Sequence, residues 1–130
     1  MARSKAQRIP KPLEKEIMQG CIAVMELAGW RVFRRNTATM YASYNGKTRC
    51  IRAGQPGMAD LWAVLPDGRH AEIEIKRPGN RPGPFQLAWL RSMADIGGHR
   101  GSVAFWCDSV EGCQWIVENI NAERNIHDSR

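Results

Sequence analysis

Two acidic residues and a lysine in the middle of the chain have the types and spacing that phosphodiester chemistry requires. Glu74 and Lys76 are separated by one residue in the segment EIEIK, and Asp60 precedes the segment LWAVL. Because alternate residues of a strand share a face, Glu74 and Lys76 are expected to lie side by side. Two carboxylates with a backbone carbonyl, such as that of Ile75, form a hard-oxygen site suited to Mg²⁺. A neighbouring ammonium can orient a water or stabilise charge on a phosphoryl oxygen.

The same residues have a purely structural alternative. Charged side chains that alternate with isoleucine are typical of a half-buried strand whose polar side faces water. Asp60 would then be a carboxylate at the start of a strand, and Glu74 and Lys76 would be an exposed ion pair of little energetic value. Glu72 shares this face and is interpreted as solvated surface.

A predicted β-hairpin is the element that would bring Asp60 to Glu74. Residues 59–65 and 69–76 have the pattern of two strands, and the PDG sequence between them is typical of a tight turn. If the register permits, both carboxylates converge at one end of the hairpin and point to its polar face.

Three helices and two further strands are predicted around this hairpin. Their order is a helix at 12–29 that stops at Gly29, a strand at 30–35, the central hairpin, a helix that begins at Pro84, a strand at 102–107, and a helix at 108–120 capped by Asp108 or Ser109. Residues 36–57 are predicted to be a long loop with a short hairpin at Asn45-Gly46. This order indicates an α/β domain with a mixed sheet flanked by helices.

Length and composition indicate one globular domain, with a basic arm at 1–11 and a polar tail at 122–130. The chain has 130 residues, of which 43% are hydrophobic and 25% are charged, a balance that suits one modest core. A net charge of +6 favours a polyanionic partner, because neutralised phosphates release counterions. No apolar run approaches the roughly 18 residues of a membrane helix, and no secretory signal is recognisable. We therefore expect no membrane partner and a cytoplasmic location in a bacterial or phage-infected cell.

The cysteines and most tryptophans are expected to have structural roles. The four cysteines form no C-x-x-C pair and no Cys/His zinc pattern, which predicts reduced, mostly buried thiols with neither disulfides nor zinc; they are Cys21, Cys50, Cys107 and Cys113. Four tryptophans are expected in the core rather than as base-stacking platforms; they are Trp62, Trp89, Trp106 and Trp115.

The segment GMADLWAVLPDGRHAEIEIK, followed by FQLAWL, resembles the VRR-NUC family of PD-(D/E)XK nucleases. The resemblance covers about residues 12–120 and implies a restriction-endonuclease-like α-β-β-β-α-β core. The family's aspartate falls on Asp60, its E-x-K on Glu74, Ile75 and Lys76, its helix glutamine on Gln86, and its acidic residue of the first helix on Glu14, with Glu16 as a close competitor. Ala59 stands where the superfamily name has proline.

The function that this resemblance implies is metal-dependent hydrolysis of phosphodiester bonds. Asp60, Glu74 and the Ile75 carbonyl would hold Mg²⁺, for which Mn²⁺ would substitute, and Glu14 would complete the site directly or through water. The metal would lower the pKa of a water and polarise the phosphate, and Lys76 would position the attacking hydroxide. Gln86 would orient Lys76 or the substrate.

The expected substrate is branched DNA, such as a Holliday junction or a flap. The small size favours recognition of backbone and shape, and the resemblance implies a homodimer. Candidate phosphate contacts are Arg34, Arg35, Asn36, Lys47, Arg49, Arg52, Arg77 and Arg81. Two alternatives remain open: a non-catalytic nucleic-acid-binding module on a nuclease-like fold, and a base-specific restriction-type nuclease.

Overall fold

Three α-helices and six β-strands are present in the residues that the computed structural model describes, which are 10–35, 39–52 and 57–128. In chain order they are α1 (Glu14–Leu27), β1 (Arg31–Arg34), β2 (Thr39–Tyr44), β3 (Lys47–Arg52), β4 (Leu61–Val64), β5 (His70–Ile75), α2 (Pro84–Ala94), β6 (Val103–Cys107) and α3 (Val110–Asp128). No helix in the described part of the chain is long and apolar enough to span a membrane.

The central sheet has the strand order β1-β4-β5-β6. The β1–β4 and β4–β5 pairs are antiparallel, whereas β5 and β6 are parallel. A parallel pair needs a long crossover, and α2 supplies it. The predicted α/β class and mixed sheet are therefore confirmed. The α-β-β-β-α-β order is formed by α1, β1, β4, β5, α2 and β6, and the predicted last helix is α3.

The hairpin predicted at Asn45-Gly46 is present and longer than expected. Strands β2 and β3 each have six residues and form a separate two-stranded sheet, which is inserted in the chain after β1 and before β4. Asn45 and Gly46 have φ of 49° and 71°, and a positive φ at both central residues defines the tight turn that joins such strands.

One face of the central sheet forms the core together with α1 and α3. Alternate residues of β4 and β5 point to this face, and helix residues spaced by four share a stripe. The buried side chains of this core include Leu61, Ala63, Ala71, Ile73, Ile75 and Cys107 from the sheet, Ile17, Cys21 and Met25 from α1, and Cys113 and Val117 from α3.

The helix ends follow the sequence signals closely. Helix α2 begins at Pro84, and Gly29 after α1 has a positive φ of 89°. Ser109 rather than Asp108 caps α3, because its hydroxyl accepts the Gly112 N–H at 3.0 Å. Helix α3 continues to Asp128, so residues 122–128 of the expected polar tail are helical.

Two expectations about side chains have different outcomes. Cys21, Cys107 and Cys113 are buried free thiols whose sulfurs all lie within 4.8 Å of one another. Trp115, in contrast, is 67% exposed on α3. Its expected place in the core is therefore wrong, because the buried stripe of α3 is formed by Cys113 and Val117.

Candidate active site

Asp60 and Glu74 meet on the face of the sheet opposite the core. Leu61 pairs with Ile73, so the residue before Leu61 lies beside the residue after Ile73. The Asp60 N–H donates to Glu74 Oε2 at 3.2 Å, and the Ile75 N–H donates to Asp60 Oδ2 at 3.1 Å. The predicted hairpin therefore brings the two carboxylates together, each held by a backbone N–H of the opposite strand.

Glu74 is buried rather than turned to water. Only 1% of its surface is exposed, although the alternation of charged and apolar residues in its strand is typical of a strand with one solvent-exposed face. Helix α2 covers this face of the sheet and places Gln86 over it, where Gln86 Nε2 donates to Glu74 Oε1 at 2.8 Å. The Lys76 ammonium lies 3.4 Å from the same oxygen. The alternative of an exposed Glu74–Lys76 ion pair is therefore wrong for the glutamate.

Burial and a neighbouring charge perturb the Glu74 carboxyl. Burial, followed by the charge of Asp60, raises the pKa of Glu74 to about 7, and Lys76 opposes part of this rise. A carboxyl group that loses hydration beside a negatively charged carboxylate is favoured in its protonated, neutral form. A cation placed between the two carboxyl groups would reverse that preference.

The start of α2 fixes which way the Gln86 amide points. The Gly83 N–H, at the N-terminal end of the helix, donates to Gln86 Oε1 at 2.9 Å. With its oxygen engaged by the backbone, the amide must present its N–H₂ group to Glu74. The structure thus connects Gln86 with Glu74, whereas the resemblance implied a contact with Lys76 or the substrate.

Gly57 lets the loop before Asp60 approach α2 closely. Its φ is +85°, and a Cβ there would lie 2.6 Å from the Phe85 carbonyl oxygen. Only glycine tolerates both the conformation and the contact. Gly57 therefore helps to place Asp60 and the first turn of α2 against each other.

A second polar cluster, centred on Glu72, was not predicted. Glu72 is 0% exposed, so its interpretation as solvated surface is wrong. It accepts two hydrogen bonds from Arg35, at 2.7 and 3.0 Å, and one from Trp89 Nε1 at 2.7 Å. His70 Nε2 lies 2.5 Å from its second oxygen. The sequence signal that could have indicated its burial is its position two residues before Glu74, which places both side chains on the face of β5 that α2 covers.

Charge pairing offsets the burial of Glu72. Burial by itself raises the pKa of Glu72, but the hydrogen bonds from Arg35, Trp89 and His70 outweigh that effect and hold the pKa below its ordinary value. Glu72 is thus an enclosed carboxylate whose ionised form is favoured, whereas Glu74 is equally enclosed and has a raised pKa.

The acidic residues of α1 lie apart from this pair. The Glu16 carboxylate accepts a hydrogen bond from the Leu13 N–H at 3.4 Å, at the N-terminal end of α1. Glu14, the first residue of α1, is partly exposed. Within the described residues, neither joins Asp60 and Glu74 in a group whose ligand atoms all lie within 4.8 Å. The involvement of Glu14 through a water stays a prediction.

The candidate phosphate contacts are distributed unevenly. Arg34, Lys47, Arg77 and Arg81 are exposed. The Arg35 guanidinium is engaged by Glu72 and by the Ala59 carbonyl, which it contacts at 3.0 Å. Asn36 and the side chains of Arg49 and Arg52 lie outside the described part of the molecule.

Comparison with known proteins finds similarity to solved structures. No protein-family model and no curated protein matches the sequence. A structure described as "VRR_NUC domain" is 23% identical, superposes with a TM-score of 0.55, and matches over 81% of this chain and 94% of that chain. At this identity the similarity establishes the fold, which is the restriction-endonuclease-like arrangement of a mixed sheet and flanking helices.

Proposed function

We propose that this chain is a divalent-metal-dependent DNA endonuclease with Asp60, Glu74 and Lys76 in its active site. The observation that carries the proposal is the pairing of Asp60 with the buried Glu74, joined by backbone hydrogen bonds and flanked by Lys76 and Gln86. It lies on a fold shared with a VRR_NUC domain. The strongly raised pKa of Glu74 is the kind of perturbation that is concentrated at functional sites.

The donor groups fit a hard divalent cation. The N–H of Ile75 points to Asp60, and the N–H and C=O of a strand residue point to the same side, so the Ile75 carbonyl also faces Asp60. Two carboxylates and one carbonyl suit Mg²⁺, with Mn²⁺ as a substitute. The fit is supported by the raised pKa of Glu74, since a cation would relieve the repulsion between the two carboxylates.

The protein groups around the site have distinct roles in this proposal. When bound, Mg²⁺ supplies polarisation of the phosphate and a lower pKa for water. Lys76 is held near Glu74 with 18% of its side chain exposed, where its ammonium can donate to an incoming water or to a phosphate oxygen. Gln86 keeps the Glu74 carboxylate in its orientation.

We propose branched DNA, a Holliday junction or a flap, as the substrate of a homodimeric enzyme. The exposed Arg34, Arg77 and Arg81 and the net charge of +6 support binding to a phosphate backbone. The preference for branched DNA and the dimer rest on the sequence resemblance.

A cleavage assay tests the proposal. Wild type, Lys76→Ala and the control Lys15→Ala, which alters an exposed lysine of α1, are incubated with an end-labelled four-way junction, a flap and a linear duplex in Mg²⁺, Mn²⁺ or EDTA. Wild type and the control should cut the branched substrates with either metal and not in EDTA, and Lys76→Ala should lose at least about a hundredfold in rate.

Other outcomes would replace parts of the proposal. Binding without cleavage by wild type would indicate a non-catalytic nucleic-acid-binding module. Discrete cleavage bands on the linear duplex would indicate a base-specific enzyme. Cleavage that survives in Lys76→Ala would assign the chemistry to another site.

A further inference from the structure

Glu72 connects the separate elements that carry the active-site residues. It lies on β5, and its bonds extend to Arg35 after β1 and to Trp89 on α2. The Arg35 guanidinium also lies 5.9 Å from the centre of the Trp89 ring, so the three side chains form one contact group. Each of them comes from an element that borders the site.

Arg35 also contacts the backbone of Asp60, through the carbonyl of Ala59 and the carbonyl of Asp60 itself. Arg35 Nη1 donates to the Ala59 carbonyl at 3.0 Å, and the Arg35 N–H donates to the Asp60 carbonyl at 2.9 Å. Nη1 is also the atom that contacts Glu72 Oε1, at 2.7 Å. The carboxylate of Glu72 therefore holds the arginine that holds the backbone of Asp60.

Trp89 links Glu72 to the helix that carries Gln86. Both residues belong to α2, and they are three positions apart, which places them on one face of the helix. The Trp89 indole N–H bonds Glu72 while the Gln86 amide bonds Glu74. Two residues of one strand are thus held by two residues of one helix.

We infer that Glu72 is a positioning residue, which through Arg35 and Trp89 sets the relative placement of Asp60, Glu74 and Gln86. This inference rests on the proposed function, because the group placed in this way is the metal-binding pair. Burial of a carboxylate destabilises the fold unless hydrogen-bonding and charged partners compensate for the lost hydration. The side-chain partners of Glu72 do not belong to the core on the opposite face of the sheet.

Two variants separate this role from general stability. Glu72→Gln removes the charge and the two-pronged contact with Arg35, and Arg35→Lys keeps a cation but cannot bridge Glu72 and Ala59. The matched control is Arg69→Lys, because Arg69 forms an ion pair with Asp67 at the turn of the same hairpin, away from the site. All are compared as the full chain.

The first measurement is Mn²⁺ affinity by calorimetry, with the rate and KM of cleavage beside it. Loss of a group that orients metal ligands weakens metal binding by about 10- to 100-fold. Glu72→Gln and Arg35→Lys should show this loss and a comparable fall in kcat, with the KM for DNA within about twofold of wild type. Arg69→Lys should match wild type.

The second measurement is amide hydrogen exchange without metal, which needs neither binding nor activity. The N–H groups of Asp60 and Ile75 donate to the two carboxylates, so they report carboxylate placement. Both should exchange at least about tenfold faster in Glu72→Gln, while the Ile73 amide of the same strand is unchanged.

These outcomes distinguish the inference from the proposed function. If wild type neither binds Mn²⁺ nor cleaves DNA, the proposed function fails, and the exchange of Asp60 and Ile75 still decides whether Glu72 places the pair. Unchanged exchange and unchanged Mn²⁺ affinity in Glu72→Gln would overturn the inference. Faster exchange throughout the sheet, Ile73 included, would also overturn it and show a general structural role.

Discussion

Replacement of Glu74 by glutamine should make the stability of the metal-free protein less sensitive to rising pH than that of wild type. The pKa of Glu74 is raised from 4.5 to about 7, so the folded protein binds this proton more tightly than the unfolded chain does. The contribution of the carboxyl group is therefore fully present below about pH 4.5 and is lost as the pH rises through about 7. Because glutamine does not titrate, the stability of Glu74→Gln does not decrease over this pH range through position 74.

The size of the effect follows from the pKa. A difference between 4.5 and about 7 corresponds to about 3 kcal/mol at 1.36 kcal/mol for each pKa unit. Glu74 is 1% exposed, so solvent screening reduces this value little. Substitution also alters the contacts with Gln86 and the Asp60 N–H, but that cost is nearly the same at both pH values and cancels in the difference between them.

The assay is urea unfolding in EDTA at pH 5 and at pH 8. The free energy of unfolding of Glu74→Gln minus that of wild type should increase by about 2–3 kcal/mol between the two pH values. The control Glu118→Gln alters an exposed residue of α3 and should change by less than about 0.5 kcal/mol. An equal pH dependence in Glu74→Gln and wild type would contradict this prediction and show that Glu74 titrates as an ordinary surface carboxyl.

Two further predictions concern the metal and the loop before Asp60. Mn²⁺ should raise the melting temperature of wild type more at pH 8 than at pH 6, because protons compete for Glu74 near its pKa of about 7, and Asp60→Asn should abolish the increase; an equal shift in Asp60→Asn would place the metal elsewhere. Gly57→Ala should cost about 2–4 kcal/mol in urea unfolding from backbone strain and overpacking, because its Cβ would lie 2.6 Å from the Phe85 carbonyl oxygen. Gly68→Ala, with a φ of +90° and nothing within 4 Å of the added Cβ, should cost only about 1 kcal/mol from strain; equal costs would contradict the close approach to α2.

Local sequence signals predicted the elements that carry the site because each signal acts over a few residues. The PDG turn and the alternation on both sides of it predicted the pairing of β4 with β5, and the register confirms that Asp60 and Glu74 meet. Pro84 marked the start of α2, and Asn45-Gly46 marked the turn of the second hairpin.

Features that depend on packing between distant elements could not be predicted in the same way. The alternation of EIEIK shows that Glu72 and Glu74 share a face, but not that α2 covers it. Glu72 bonds Arg35 and Trp89, which lie 37 and 17 residues away from it in the chain. The three buried thiols come from α1, β6 and the start of α3, so no sequence spacing indicated that their sulfurs meet.

A crystal structure of the protein soaked in Mn²⁺, with an anomalous difference map calculated for manganese, would show whether Asp60 and Glu74 bind a metal ion. We expect one or more peaks within coordination distance, roughly 2 Å, of carboxylate oxygens of both Asp60 and Glu74, with the Ile75 carbonyl as a further ligand. A map with no peak at this pair, in crystals that bind Mn²⁺ elsewhere or not at all, would contradict the claim that Asp60 and Glu74 form a metal-dependent active site.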